Sequence, residues 1–228
     1  NGMKILFTKK FDEQMISEKI GSHFSYDIVE VIKIRSQKIK PFDLKDKSLI
    51  FTSVNGVRAF FENGFQPNEN FADSSYNKIY AVGLKTKQEL RKNGFGTFKV
   101  MPYASGLSEF LIANANKDRF LHFCGNLSLD VLDRTLPLQN IDYQKVEIYN
   151  TEILYPNIDE KYDAIVFFSP SGVRSFVKNN SLEGMMIFSI GTTTEKELKK
   201  YTNQVIHTSK NANLEEVFTL IKEHLTII

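Results

Sequence analysis

Short apolar runs that end in small polar residues recur along the chain, and one of them occurs twice. The apolar run 164–168 stops at Ser-Pro-Ser-Gly and is followed by apolar residues at helical spacing. Residues 50–63 have the same pattern, and seven of their fourteen positions are identical to those of 166–179. About one identity would be expected from average residue usage. We therefore interpret the chain as an internal duplication.

The duplication extends over most of the chain. Residues 120–136 resemble 4–20 at an offset of 116, 143–151 resemble 26–34 at 117, and 187–203 resemble 79–95 at 108. Each copy alternates apolar strands with amphipathic helices, which favours parallel sheets covered by helices on both faces. The predicted fold class is α/β, with two similar doubly wound parallel-sheet domains.

A charged strand interrupts the alternation at the same point of each copy, at 26–35 and at 143–151. These two strands could pair as a bridge between domains. Domain 1 would then be discontinuous, formed by 3–35 and 152–228, domain 2 would comprise 38–145, and 146–152 would be the returning linker strand. Two consecutive domains divided near residue 118 are the alternative that the repeat alone suggests.

Composition excludes several classes of protein. The 228 residues are 42% hydrophobic and 25% charged, which is typical of a globular protein with a buried core. A net charge of +2 gives no reason to expect binding to nucleic acid or to an anionic membrane. A single cysteine rules out an internal disulfide framework, and neither a transmembrane-length run nor a signal-peptide core is present. We expect a cytoplasmic protein.

Small and polar residues cluster where the predicted strands run into helices. In open α/β sheets ligands bind at these carboxyl ends, and free N–H groups at helix starts favour anions. Loops of this kind would suit a ligand with several carboxylates, although Ser and Thr are also ordinary helix N-caps. The loops contain Ser53 and Gly56, Gly83 and Thr86, Gly125 and Asn126, Ser169 and Ser171, and Gly191, Thr193 and Thr194.

The usual catalytic signatures are missing from the sequence. It contains no GxGxxG, no GxxxxGK[ST] and no GxSxG, and no metal-ligand spacing links its histidines to Cys124. We expect His122, on an apolar strand, to be a partly buried histidine with satisfied hydrogen bonds, and Cys124 to be a buried thiol. Arg58 and Arg174, in the first turns of their helices, could reach a carboxylate at the loops or remain solvated.

Tyr149 stands where the first copy has the aliphatic Ile32. If its strand borders a cleft between the domains, the phenol could donate a proton or a hydrogen bond to a leaving oxygen. Cross-strand aromatic packing is the alternative role for this side chain.

A series of short motifs, in order along residues 3–228, resembles the uroporphyrinogen-III synthase family. The motifs are Phe51-Thr52-Ser53 with Gly56-Val57, Val82-Gly83 with Thr86, Phe123-Cys124-Gly125-Asn126, Val146 with Tyr149 and Thr151, Phe167 to Gly172, and Ile190-Gly191 with Thr193-Thr194. The resemblance implies two flavodoxin-like domains joined by a two-stranded β linker. It also implies a lyase, without cofactor or metal, that cyclises the tetrapyrrole hydroxymethylbilane to uroporphyrinogen III with inversion of ring D and loss of water.

The resemblance also implies roles for particular residues. Tyr149 matches a tyrosine thought to assist departure of the substrate hydroxyl. We further expect a monomer that makes transient contact with the preceding enzyme of the pathway. The substrate-binding positions would be Ser53, Thr86, Gly125, Asn126, Ser169, Ser171, Gly191, Thr193 and Thr194.

The main alternative is a non-catalytic, two-lobed intracellular protein that binds a carboxylate ligand. A phosphate- or nucleotide-dependent enzyme of doubly wound type is a third interpretation, and the lack of a glycine-rich fingerprint counts against it.

Overall fold

The computed structural model describes residues 2–19, 24–128 and 131–225, and the chain divides into two units. Unit 1 comprises Asn1–Lys33 and Glu152–Ile228, and unit 2 comprises Ile34–Thr151. The strands are β1 (Met3–Phe7), β2 (Phe24–Ile28), β3 (Ile32–Ser36), β4 (Ser48–Phe51), β5 (Ile79–Val82), β6 (Lys99–Met101), β7 (Arg119–Gly125), β8 (Asp142–Ile153), β9 (Ala164–Phe167), β10 (Met186–Ser189) and β11 (Ile206–Thr208). The helices are α1 (Gln14–Lys19), α2 (Val54–Glu62), α3 (Leu84–Lys92), α4 (Ala104–Asn114), α5 (Val131–Leu138), α6 (Pro170–Val177), α7 (Gly191–Leu198) and α8 (Leu214–Leu225).

Unit 1 contains a parallel sheet in the order β11-β10-β9-β1-β2. Its central strands bury side chains on both faces. In β1, Ile5 and Phe7 pack with residues of α8, whereas Leu6 packs with residues of α6 and α7. Burial on both faces explains why these strands read as continuous apolar runs.

Unit 2 contains a sheet in the order β3-β8-β7-β4-β5-β6, in which the pairs from β8 to β6 are parallel. Leu49 and Phe51 of β4 pack with α2 and α3, and Ile50 packs with α4 and α5. Helices therefore cover both faces of each sheet, which confirms the predicted doubly wound α/β class.

The internal repeat does not coincide with the two units. The repeat relates β7 and β8 of the second copy to β1 and β2 of the first, and β9, β10 and β11 to β4, β5 and β6. Unit 1 combines β1 and β2 with β9 to β11, whereas unit 2 combines β4 to β6 with β7 and β8. Each unit therefore contains strands from both copies, and both sheets have the strand order of flavodoxin-like folds when read by repeat position.

The predicted continuous strand 26–35 is wrong, because the structure divides it. β2 ends at Ile28 in the sheet of unit 1, and β3 begins at Ile32 in the six-stranded sheet, next to β8. Between them, the buried Val31 uses its carbonyl to accept hydrogen bonds from Leu154 N–H and from Ser175 Oγ. The backbone at Val31 is thus held by groups outside any strand ladder, and a pattern of apolar and charged residues does not reveal that.

None of the helices in the described parts of the chain is long and apolar enough to cross a membrane.

Candidate active site

Ser53 begins the helix that follows β4 at the carboxyl edge of the sheet in unit 2. It is the N-cap of α2, and its Oγ accepts a hydrogen bond from Gly56 N–H at 3.1 Å. The same Oγ lies 3.0 Å from the hydroxyl oxygen of Tyr149 on β8. The Ser53 hydroxyl thus caps α2 and contacts the phenol of Tyr149 at the same time.

The ring of Tyr149 lies directly against the backbone of Gly125. A Cβ placed on Gly125 would come within 2.4 Å of the ring, so glycine is the residue that this approach permits. The register between β7 and β8 shifts between Cys124 and Gly125, which lets Gly125 oppose Tyr149. Partial burial of the phenol raises the pKa of Tyr149, and the hydrogen bond with Ser53 opposes that rise. Tyr149 is therefore protonated at neutral pH.

Asn126 connects the end of β7 to the strand that carries Tyr149. Its backbone N–H donates to the carbonyl of Tyr149 at 3.2 Å, and its Oδ1 accepts from Thr151 N–H at 2.7 Å. The predicted residues Ser53, Gly125, Asn126 and Tyr149 are thus brought together at one edge of unit 2. Ser53 and Tyr149 are 96 residues apart in the sequence. They lie close together because only β7 separates β4 from β8 in the sheet.

In the sequence, Thr86 followed three residues later by Glu89 matches a capping box at the start of a helix, but the structure does not form one. α3 begins at Leu84 with Gly83 as its N-cap, at φ 90°, and no side chain caps it. Glu89 turns instead toward the neighbouring helix, where its Oε1 accepts from Arg58 Nε at 2.9 Å. An ion pair with a nearby arginine competes with a backbone N–H for the same carboxylate.

Arg174 has the equivalent partner in unit 1, because its guanidinium donates to Oε1 of Glu197 at 3.1 Å. Arg58 and Arg174 therefore each pair with a glutamate of the next helix, an arrangement that the repeat duplicates. The prediction that both lie in the first turn is wrong, because each is the fifth residue of its helix, counted from Val54 in α2 and from Pro170 in α6. These pairs hold helices together, whereas the sequence had suggested a loop-bound carboxylate or solvent as their partner.

The predicted positions of unit 1 lie at the carboxyl edge of its own sheet. Ser169 is the N-cap of α6, accepts from Gly172 N–H at 3.0 Å and lies 3.2 Å from Ser171 Oγ. Gly191, at φ 71°, begins α7 and donates its N–H to Ser209 Oγ at 3.0 Å. Thr193 is exposed and Thr194 is buried in the first turn of that helix.

A series of hydrogen bonds through a buried histidine adjoins this edge in unit 2, and the sequence did not reveal it. His122 on β7 is 1% exposed, and its Nε2 lies 2.8 Å from Thr52 Oγ1 while its Nδ1 lies 2.6 Å from Tyr143 OH. Burial lowers the pKa of His122 from 6.5 to about 3, so the imidazole is neutral. The expectation of satisfied hydrogen bonds is confirmed, whereas the side chain is more deeply buried than expected. This series of hydrogen bonds ends at Thr52, the residue before Ser53.

Cys124 is buried at the end of β7, as expected, and burial raises its pKa to about 11. The side chain is therefore a thiol and not a thiolate at neutral pH. Among the described residues, no group of three or more His, Cys, Asp or Glu side chains is placed to hold a metal ion.

Comparison with known proteins adds a family and a fold. A family model described as Uroporphyrinogen-III synthase HemD matches residues 28–219. The crystal structure of uroporphyrinogen-III synthetase from Helicobacter pylori 26695 aligns with a TM-score of 0.67 and 19% identity, covering 97% of this chain and 99% of that one. A mutant uroporphyrinogen III synthase from the extremely thermophilic bacterium Thermus thermophilus aligns with a TM-score of 0.67 and 15% identity, covering 99% of both chains. No curated protein sequence matches the chain significantly.

Proposed function

Because the chain belongs to the uroporphyrinogen-III synthase family, whose members are enzymes of haem biosynthesis, we propose that it cyclises hydroxymethylbilane by a cofactor-independent hydro-lyase reaction assisted by Tyr149. The product is uroporphyrinogen III, in which ring D is inverted relative to the other rings. One water molecule leaves for each molecule cyclised.

The reaction starts at the terminal hydroxymethyl group of the bilane. Its C–O bond breaks, and the hydroxyl departs as water with a proton supplied by the donor. The lone pair of the pyrrole nitrogen forms the new C=N bond, and the N–H proton is then lost and restores the donor, which leaves a neutral azafulvene. The substituted carbon of ring D then attacks the azafulvene carbon and gives a spirocyclic pyrrolenine. The bond between ring D and the carbon that bridges it to ring C then breaks. The unsubstituted α-carbon of ring D bonds to that bridging carbon, and ring D is thereby inverted.

The observation that carries the assignment to Tyr149 is the 3.0 Å contact between its hydroxyl and Ser53 Oγ. Ser53 Oγ already accepts a hydrogen bond from Gly56 N–H, so its own hydrogen can be donated to the phenol oxygen. The phenol hydrogen is then left for the departing hydroxyl, and the serine stabilises negative charge that develops on the phenol oxygen.

Binding of the polyanionic substrate is assigned to the loops at the carboxyl edges. Ser53, Thr86, Gly125 and Asn126 would contribute from unit 2, and Ser169, Ser171, Gly191, Thr193 and Thr194 from unit 1. Helix starts in these loops present backbone N–H groups, which suit the carboxylates of the acetate and propionate side chains. The substrate ionises readily, so the protein accelerates the reaction mainly by holding a flexible chain in one conformation.

The isomer of the product tests this function. Purified protein, first dialysed against a chelator, is incubated with freshly prepared hydroxymethylbilane, and the uroporphyrin isomers are separated after oxidation. We expect isomer III, whereas a parallel reaction without protein gives isomer I by spontaneous closure. Isomer I alone in both reactions would favour the alternative, a carboxylate-binding protein without catalysis, and dependence on an added metal would contradict a cofactor-independent reaction.

A further inference from the structure

Two large apolar side chains are exposed at the carboxyl edge of unit 2. Leu84 is 67% exposed and Tyr103 is 70% exposed. Leu84 is the first residue of α3 after β5, and Tyr103 is the N-cap of α4 after β6. Gly83 N–H donates to the carbonyl of Met101 at 2.9 Å, which joins the ends of these neighbouring strands. Both apolar side chains therefore extend from adjacent strand ends.

The helix starts beside these side chains have no side-chain caps. Gly83 has no side chain to offer, and Tyr103 makes no capping hydrogen bond. Thr86 is 4% exposed, and within the described parts of the chain its hydroxyl has no hydrogen-bond partner. Its Oγ1 lies 3.8 Å from where a Cβ on Gly83 would stand, so it is directed at the start of α3. Backbone N–H groups and one hydroxyl therefore remain available to an anionic group.

We propose that Leu84 and Tyr103 bind the face of one pyrrole ring of the bilane, while Thr86 and the start of α3 bind a carboxylate of the same ring. A pyrrole that carries acetate and propionate is apolar on its faces and anionic at its rim, so it needs both kinds of contact. This inference rests on the proposed function, because it takes the bilane to be the ligand at this edge.

The repeat shows that the fold does not require these apolar residues. At the offset of 108, Thr192 corresponds to Leu84 and Asn211 to Tyr103 in unit 1. The helix that corresponds to α4 is α8, and there Asn213 accepts a hydrogen bond from Glu215 N–H at 2.8 Å. Unit 1 thus has polar residues and a capped helix where unit 2 has exposed apolar residues and an uncapped one.

The test replaces each apolar residue by its counterpart in unit 1. Leu84→Thr and Tyr103→Asn are compared with two matched controls, Leu138→Thr and Tyr201→Asn, at side chains that are 77% and 46% exposed elsewhere. We expect the KM for hydroxymethylbilane, and the Kd for uroporphyrin III measured by fluorescence titration, to rise about 5-fold in each edge variant, since each removes about one or two methylene equivalents of apolar contact. The controls should stay within about 2-fold of the wild type.

The two assays separate failure of this inference from failure of the proposed function. If the wild type forms isomer III while the edge variants keep the KM and Kd of the controls, the pyrrole subsite is overturned and the function stands. If the wild type forms only isomer I, the function is overturned, and the subsite is judged by the uroporphyrin titration alone. Absence of uroporphyrin binding, or equal binding by wild type and edge variants, then overturns the subsite as well.

Discussion

The carboxyl edges of the two units share a capping geometry and differ in what the capping serine contacts. Ser53 and Ser169 each accept a hydrogen bond from the N–H three residues on, at 3.1 and 3.0 Å. In unit 2 the serine also contacts the Tyr149 phenol, whereas in unit 1 it contacts Ser171. The duplication therefore preserved the scaffold of both edges, and the capping serine contacts a phenol in unit 2 and a second serine in unit 1.

Removal of the Tyr149 hydroxyl should have the largest effect, because it erases the difference between the two edges. In Tyr149→Phe the ring can still pack on Gly125 and Ser53 can still cap α2, so folding should change little. Loss of the donor should lower kcat about 100-fold, the lower end of the range for general acid catalysis. Single-turnover kinetics with hydroxymethylbilane measure this step.

A tyrosine of unit 1 provides the matched control for that variant. Tyr162 OH donates to Asp27 Oδ2 at 2.6 Å, so Tyr162→Phe also removes one phenol hydrogen bond. Its kcat should stay within about 2-fold of the wild type. Equal kcat values for the two variants would remove Tyr149 from the mechanism.

Acid should destabilise unit 2 through a buried histidine whose counterpart in unit 1 is a leucine. Leu6 of β1 corresponds to His122 of β7. Burial lowers the pKa of His122 from 6.5 to about 3, so below pH 6.5 the unfolded chain binds a proton that the folded protein excludes. The contribution of the neutral His122 side chain to the free energy of unfolding is complete above about pH 6.5 and is lost as the pH falls toward 3. Between about pH 7.5 and pH 5 it removes about 2 kcal/mol of stability.

The substitution His122→Leu, which copies unit 1, isolates this effect. The variant loses stability at every pH, because the hydroxyls of Thr52 and Tyr143 each lose their hydrogen bond with the imidazole. Its unfolding free energy, measured in urea, should nevertheless fall by about 2 kcal/mol less than that of the wild type over the same pH interval. Parallel curves would show that His122 is not held neutral by the fold.

The sequence predicted features that depend on patterns repeated along the chain. The alternation of strands and helices indicated the doubly wound class, and the ordered motifs indicated a family that the match over 28–219 confirms. It did not predict contacts between side chains that are far apart in sequence, such as those of His122 with Thr52 and Tyr143. The error at Glu89 has the same cause, because Arg58 lies 31 residues away and outcompetes a local cap. The substrate-binding roles of the loop residues stay predictions, which the assays above address.

The smallest expected difference concerns the two serines themselves. Ser53→Ala and Ser169→Ala each remove an N-cap and should cost about 1 kcal/mol of stability, a similar amount in either unit. Only Ser53 also contacts Tyr149, where its hydrogen bond opposes the rise in pKa that burial causes. Ser53→Ala should therefore raise the pKa of Tyr149 further, weaken the phenol as a donor and lower kcat a few-fold, whereas Ser169→Ala should change KM and leave kcat unaltered. Urea unfolding measures the stability of both variants, and steady-state kinetics measures their kcat and KM. An equal fall in kcat for the two variants would mean that Ser53 acts only as a helix cap and not through the phenol.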